Sequence, residues 1–201
     1  MDNGKIIDTI LIMTRRIAMD MREMKTKRSI TNAFLEIRSK KPLERITVRE
    51  LCERAEVSKG TFYLHYHDIY ELSDMLQENT IKSILGHVED PVDMVYNPRK
   101  SSKEMIYGFY ANREVVNILF NGSQFSRLPE KIEAGIKDIL FEKFPEFQDD
   151  VYANIRLTYQ LMGAFYAFYK YENEFGFDAV FAAVDRITTL FELPPKDHGT
   201  N

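Results

Sequence analysis

Side chains able to do enzymatic chemistry are scarce and dispersed in this sequence. The four histidines stand at positions 65, 67, 87 and 198 and the single cysteine at 52, and no metal-ligand spacing, nucleophile elbow, Walker loop or dinucleotide glycine fingerprint occurs. No catalytic residue, metal or cofactor is therefore expected. Polar groups of another kind concentrate in SKGTFYLHYH, Ser58 to His67: an ammonium, hydroxyls and two imidazoles, with no carboxylate among them. On a helix advancing about 100° per residue, Phe62 and Tyr66 take one side. Lys59, Gly60, Tyr63, Leu64 and His67 take the other, with Thr61 and His65 at its edges. Such a surface suits the major groove of double-stranded DNA, where its donors and acceptors meet base edges and Gly60 permits close backbone approach. Phosphate oxygens would be drawn to the amides at Ser58 to Gly60.

The elements that would hold this surface are legible on either side. Residues 25–40 set Ile30, Ala33, Phe34 and Ile37 at i, i+3, i+4 and i+7, an amphipathic helix that stops before Pro42. Thr47 followed by Glu50 reads as a capping box opening a second helix, with Val48, Leu51, Cys52 and Ala55 on its buried face. Cys52 is there a small packed hydrophobe rather than a redox switch. Glu56 and Val57 make a very short break before Ser58, whose hydroxyl is positioned to cap a third helix at the Thr61 amide. Val57 and Phe62 are spaced as a hydrophobic staple. Two short helices joined this tightly read as a helix-turn-helix. Asp68 with Glu71 then starts a longer fourth helix carrying Ile69, Leu72, Leu76 and Ile84.

Charge divides along the chain. The net charge is -4 over 201 residues, but Arg22 to His67 carry eleven Lys and Arg against six Glu, a net of +5, and everything from Asp68 onward carries -9. A basic front segment joined to an acidic body is the asymmetry of a DNA-reading domain attached to something else. One cysteine excludes an internal disulfide framework and fits a reducing, cytoplasmic compartment. The apolar run from Thr9 to Met13 is far too short to span a bilayer, so no membrane is expected. The opening 24 residues also set Ile6, Ile10, Met13 and Ile17 at helical spacing. Arg15, Arg16 and Arg22 are candidate phosphate contacts if that segment forms an arm, and it reads equally as a frayed extension.

The run TVRELCERAEVSKGTFYLHYHDIYEL, Thr47 to Leu72, resembles the DNA-binding region of TetR/AcrR repressors, with the likeness extending over about Lys25 to Leu76. The resemblance implies that Thr47 holds a phosphate, that Arg49 reaches the DNA, and that Lys59, Gly60, Thr61, Tyr63, Leu64 and His65 sit on or near the groove. Two positions depart from the family pattern. Glu56 stands where the turn favours glycine, at a cost of about 1 kcal/mol if the turn is kept. Ile69 stands where a phosphate-binding lysine is frequent, leaving His67 or Tyr70 to substitute.

Beyond the helix-turn-helix, the segment Glu89 to Arg99 with its two prolines reads as a loop. Helices are expected over roughly 101–111, 112–121, 126–144, 149–171 and 178–191, for about nine in all. Of the 25 Phe and Tyr residues, 19 fall after residue 100. The 149–171 helix is apolar on nearly every side, so it must be buried on two. With Leu161, Phe165 and Phe168 facing a partner helix carrying Val180, Val184, Ile187 and Phe191, a four-helix homodimer interface is the economical reading. The resemblance implies a small effector, for which Phe109, Tyr110, Phe120, Phe125, Tyr159, Met162 and Tyr166 are candidate walls and whose chemistry would be apolar or aromatic. Aromatic stripes at this spacing are more often plain core.

The expectation is thus an all-α chain: an extension over 1–24, a three-helix helix-turn-helix DNA-binding domain over 25–70, and a helical effector-binding and dimerisation domain over 71–201. A regulator that binds a near-palindromic operator as a dimer follows from it. The rival is a helical dimer that binds a protein partner and keeps the helix-turn-helix as scaffold.

Overall fold

A computed structural model describes residues 3–191, with side chains from residue 20 onward. The candidate contacts of Arg15 and Arg16 lie outside the described side chains. Among the described residues the chain is all-α, with ten α-helices, four one-turn 3₁₀ segments and no strand. No described helix is long and apolar enough to cross a membrane. The chain divides into two compact units, Met1–Met75 and Leu76–Asn201.

The first unit is built from α1 (Asn3–Arg38), α2 (Val48–Ala55), α3 (Lys59–Tyr63) and the start of α4 (Ile69–Leu85). α1 runs unbroken through residue 25, so the helix continues from the segment expected as an extension into the helix-turn-helix unit. No proline occurs before Pro42 and no glycine between Gly4 and Gly60, so nothing in that stretch breaks the backbone ladder. Ile30, Ala33, Phe34 and Ile37 of α1 are at most 7% exposed. They pack with Leu43, Ile46, Leu51, Cys52, Ala55, Phe62, Tyr66, Ile69 and Leu72 as one small core. At about 1.5–3 kcal/mol for each large apolar side chain withdrawn from water, this core holds α2 and α3, two short helices that would not persist alone. Arg54 of α2 reaches Glu36 of α1 with Nε at 2.8 Å, and the paired cation holds the Glu36 carboxyl below its ordinary range.

The second unit contains the rest of α4, α5 (Asp93–Tyr96), α6 (Pro98–Ala111), α7 (Arg113–Leu119), α8 (Arg127–Lys143), α9 (Val151–Phe175) and α10 (Phe177–Thr188). The expected loop at 89–99 instead holds a helical turn and the beginning of α6. The Asp90 carboxylate accepts the Val92 N–H at 3.0 Å ahead of α5. Pro98 occupies the first turn of α6, where a missing N–H costs nothing. Close helix packing is visible at Gly108, where a Cβ would stand 2.4 Å from the Ile84 carbonyl oxygen. Asp150 caps α9 by accepting the Ala153 N–H at 3.1 Å, and the helix continues four residues past its expected end until Gly176, whose φ of 79° starts the turn into α10. Arg99 on α6 holds Asp185 on α10 through Nε at 2.8 and 2.9 Å to its two carboxylate oxygens.

Candidate nucleic-acid interface

Three side-chain caps set the geometry of the reading surface. The Thr47 hydroxyl accepts the Glu50 N–H at 3.2 Å and starts α2. The other half of the expected capping box is not made, because the Glu50 carboxylate instead takes the Lys41 ammonium at 2.5 Å. Ser58 accepts the Thr61 N–H at 3.0 Å and lies 2.8 Å from the Thr61 hydroxyl, starting α3. Asp68 accepts the Glu71 N–H at 2.8 Å while Glu71 takes the His67 N–H, starting α4. Each cap satisfies an amide that the first helical turn leaves without a partner.

Between α2 and α3 the chain turns at Glu56, whose φ of 56° and ψ of 40° are left-handed. It is the one non-glycine residue with positive φ among those described. The turn is therefore kept despite the missing glycine. Its 3.1 Å bond from the Val57 N–H to the Cys52 carbonyl closes α2 and aims α3 away from it.

The helix ends at Tyr63, short of the expected His67, and the faces of α3 and of the turn that follows it separate cleanly. Phe62 is fully buried and Tyr66 is 5% exposed, with their rings 5.6 Å apart. On the opposite side Lys59 and Gly60 are exposed, and Tyr63 and Leu64 are 57% and 82% exposed. Leu64 is therefore an apolar side chain presented to whatever docks there. His67 also points outward. Thr47 and Arg49 are exposed at the start of α2, with Arg49 steered by Glu53 at 2.8 Å, a contact that raises the guanidinium pKa. Two residues at the edge behave differently. Thr61 is half-buried with its hydroxyl turned to Ser58, and the His65 side chain is tucked beside α1, 4.0 Å from Glu23. Ile69 is 5% exposed and belongs to the core, whereas the neighbouring Tyr70 is exposed. Burial raises the Cys52 thiol pKa, as suits a packed side chain.

In the second unit, α9 separates its apolar residues between two faces. Leu157, Leu161, Ala164, Phe165, Phe168 and Glu172 line a cavity of about 730 Å³, together with Phe109, Tyr110, Phe120, Phe125 and residues from α6, α7 and α8. Tyr159, Met162 and Tyr166 do not line it. Tyr159 and Tyr166 are 71% and 49% exposed on the other face, beside Ile155 at 63%. Of the seven residues expected at a dimer interface, Leu161, Phe165, Phe168 and Val184 line this cavity, and Val180 is buried within the unit. Ile187 is 54% exposed and Phe191 is half-buried, its ring 6.1 Å from that of Tyr159. Helical spacing identified two apolar faces but not which one turns inward. Gln160, Arg113 and Glu172 also line the cavity and were missed, because isolated polar residues within an aromatic stripe carry no motif. Among the described residues no group of His, Cys, Asp or Glu gathers as a metal site.

Residues 30–74, which contain the core of the first unit and all three caps, match the family model of the bacterial regulatory proteins of the tetR family. No curated protein and no solved structure matches the chain. With its helix-turn-helix accounted for residue by residue, the segment 30–74 is similar to the DNA-binding domain of tetR-family proteins, which supports a DNA-binding transcriptional regulator of that type.

Proposed function

We propose that this regulator is a repressor that binds a near-palindromic operator as a homodimer and leaves it when a small molecule enters the second unit. The observation carrying the reading is the outward face of α3 and its C-cap: Lys59, Gly60, Tyr63 and the capping Leu64, exposed and free of carboxylates, on a helix whose inner face is anchored by a fully buried Phe62. Thr47, Ser58 and His67 would flank it against phosphates, and Arg49 would reach the same strand from α2. His65 and Thr61 contribute less directly, by fixing α3 against its neighbours.

Dimerisation is supported by the outward stripe of α9 and α10. Ile155, Tyr159, Gly163 and Tyr166 leave a large apolar surface without cover in one chain, and a second copy of the same stripe supplies it by two-fold symmetry. Two reading heads about 34 Å apart then meet successive major-groove faces. An effector that binds the cavity better in one spacing of the heads than in another shifts the protein off DNA by that difference in affinity.

The test is recovery of bound fragments from the source genome by the purified chain, followed by titration of the recovered duplex at rising salt. Binding should fall steeply, with a logarithmic slope of about -0.9 for each phosphate contacted. A chain that selects no duplex, yet elutes with a protein partner, is an interaction module and overturns the reading.

A further inference from the structure

The cavity in the second unit has a lining whose charges are already matched. Its only charged side chains among the described residues are Arg113 and Glu172. Glu172 accepts the Tyr110 hydroxyl at 2.6 Å, and its carboxylate lies 3.6 Å from the Arg113 guanidinium. Arg113 in turn sits 5.2 Å above the Tyr110 ring. Burial, then the bond to Glu172, pushes the Tyr110 hydroxyl up to about 12, so it remains a neutral donor. The cluster has one negative and one positive charge, each facing the other.

The remaining wall is mostly aromatic and aliphatic, with the Phe125 ring 5.6 Å from Phe165 and 4.4 Å from Tyr169. Three amides interrupt it, Asn117, Asn121 and Gln160. Gln160 stands in the middle of the inward stripe of α9, between Leu157 and Leu161, and its side chain has no hydrogen-bond partner among the described residues. A half-buried amide beside apolar walls costs free energy until something bonds to it.

We propose that this cavity takes an uncharged, mainly aromatic or apolar molecule carrying a hydrogen-bonding group that meets Gln160, and that the Arg113–Glu172 pair excludes ligands with net charge. The inference rests on the reading of the cavity as an effector site and assigns the chemistry of what enters it. The volume suits a drug-sized molecule, for which pockets of about 300–1,000 Å³ are usual. An anion approaching the polar end meets Glu172, and a cation meets Arg113. Either must also separate the existing pair, leaving one partly exposed charge without its partner beside an apolar wall. A neutral ligand leaves the pair intact and gains the Gln160 bond.

The full chain has no tryptophan, so an environment-sensitive dye can be read with little protein background. The neutral dye N-phenyl-1-naphthylamine, whose hydrogen-bonding group is a lone N–H, should bind the purified protein. It should be displaced poorly, and to a similar extent, by tetraphenylphosphonium and tetraphenylborate, a cation and an anion of the same shape. Filling the cavity with Ala164→Phe should abolish dye binding. Gln160→Leu should weaken it by about 3–10-fold, the worth of one hydrogen bond. Arg113→Gln should make the phosphonium the better competitor and Glu172→Gln the borate, each by about tenfold; both sites are partly exposed, so these variants should fold even if Ala164→Phe does not. A wild-type preference of more than about tenfold for either ion, or competition unchanged in both charge variants, overturns the proposal. Dye binding that survives Ala164→Phe in a folded protein overturns it too. Operator affinity, measured separately, bears on the regulatory reading alone: a dye that obeys every expectation but never releases DNA leaves the ligand class standing and removes the effector role.

Discussion

Phe62 and Phe168 are both phenylalanines on helices, and they do opposite work. Phe62 is fully buried in the first unit, pinned between the Ser58 cap and the Tyr66 ring, and it decides which way α3 faces. Phe168 is half-exposed to a cavity inside the second unit, on a helix whose other side is apolar as well. The first unit spends its apolar residues on one destination and leaves a polar face for recognition. The second divides them between an interior space and an outward stripe. A domain that reads a fixed polymer needs a single rigid presentation, whereas one that accommodates a ligand needs unfilled volume.

Truncation should separate the two regions most sharply. Phe62→Ala removes a side chain from a closed core and should cost about 3–5 kcal/mol of stability, measured by chemical unfolding, with DNA binding lost alongside. Phe168→Ala enlarges a space that already exists and should cost no more than about 1–2 kcal/mol, because fewer contacts are forfeited. Equal losses at the two sites would mean that the cavity closes in solution. Next in size is the outward stripe. Tyr159→Asp puts a carboxylate at its centre and should weaken self-association by about 2–4 kcal/mol, seen as a shift toward monomer in sedimentation, without lowering dye binding in the cavity.

The same contrast decides how much of each region is legible in the amino-acid sequence. Thr47, Ser58 and Asp68 stand at helix starts because each cap is a local arrangement within four residues, and local chemistry survives in a one-dimensional reading. The inner and outer faces of α3 were legible for a related reason: Phe62 and Tyr66 share one side, while the charged Lys59 and the small Gly60 mark the other. On α9 that asymmetry is absent. Leu161 and Phe165 lie about 100–160° around the helix from Tyr159 and Tyr166, both sets are apolar, and only the packing of α6, α7 and α8 decides which set is enclosed. The turn inside residues 89–99 was hidden because proline signals a helix start as readily as a loop.

Recognition itself should be separable from folding in the first unit. Lys59→Ala and Tyr63→Ala alter exposed side chains, so each should change stability by less than about 0.5 kcal/mol. Operator binding should fall by about 1–3 kcal/mol for a side chain that meets a base edge. If Lys59 contacts a phosphate, its loss should lower the salt slope by about one. Fluorescence anisotropy with the recovered duplex at several salt concentrations measures both. Variants that bind as tightly as the parent would show that the exposed face of α3 does not read DNA.

The smallest effect should come from the left-handed turn and should have the opposite sign. Glu56 holds φ 56° without a glycine's freedom, and the Val57 N–H bond to Cys52 closes over it. A β-carbon in that conformation crowds the following carbonyl, at a cost of about 1–2 kcal/mol. Glu56→Gly relieves it but gives the unfolded chain more freedom, offsetting about 0.5–1 kcal/mol. The net expectation is a gain of up to about 1 kcal/mol in the unfolding of the first unit, with operator affinity unchanged because the α2–α3 angle is already in place. A loss of stability would mean that the Glu56 side chain makes a compensating interaction in solution, and a gain in operator affinity would mean that the turn is not fully formed until DNA binds.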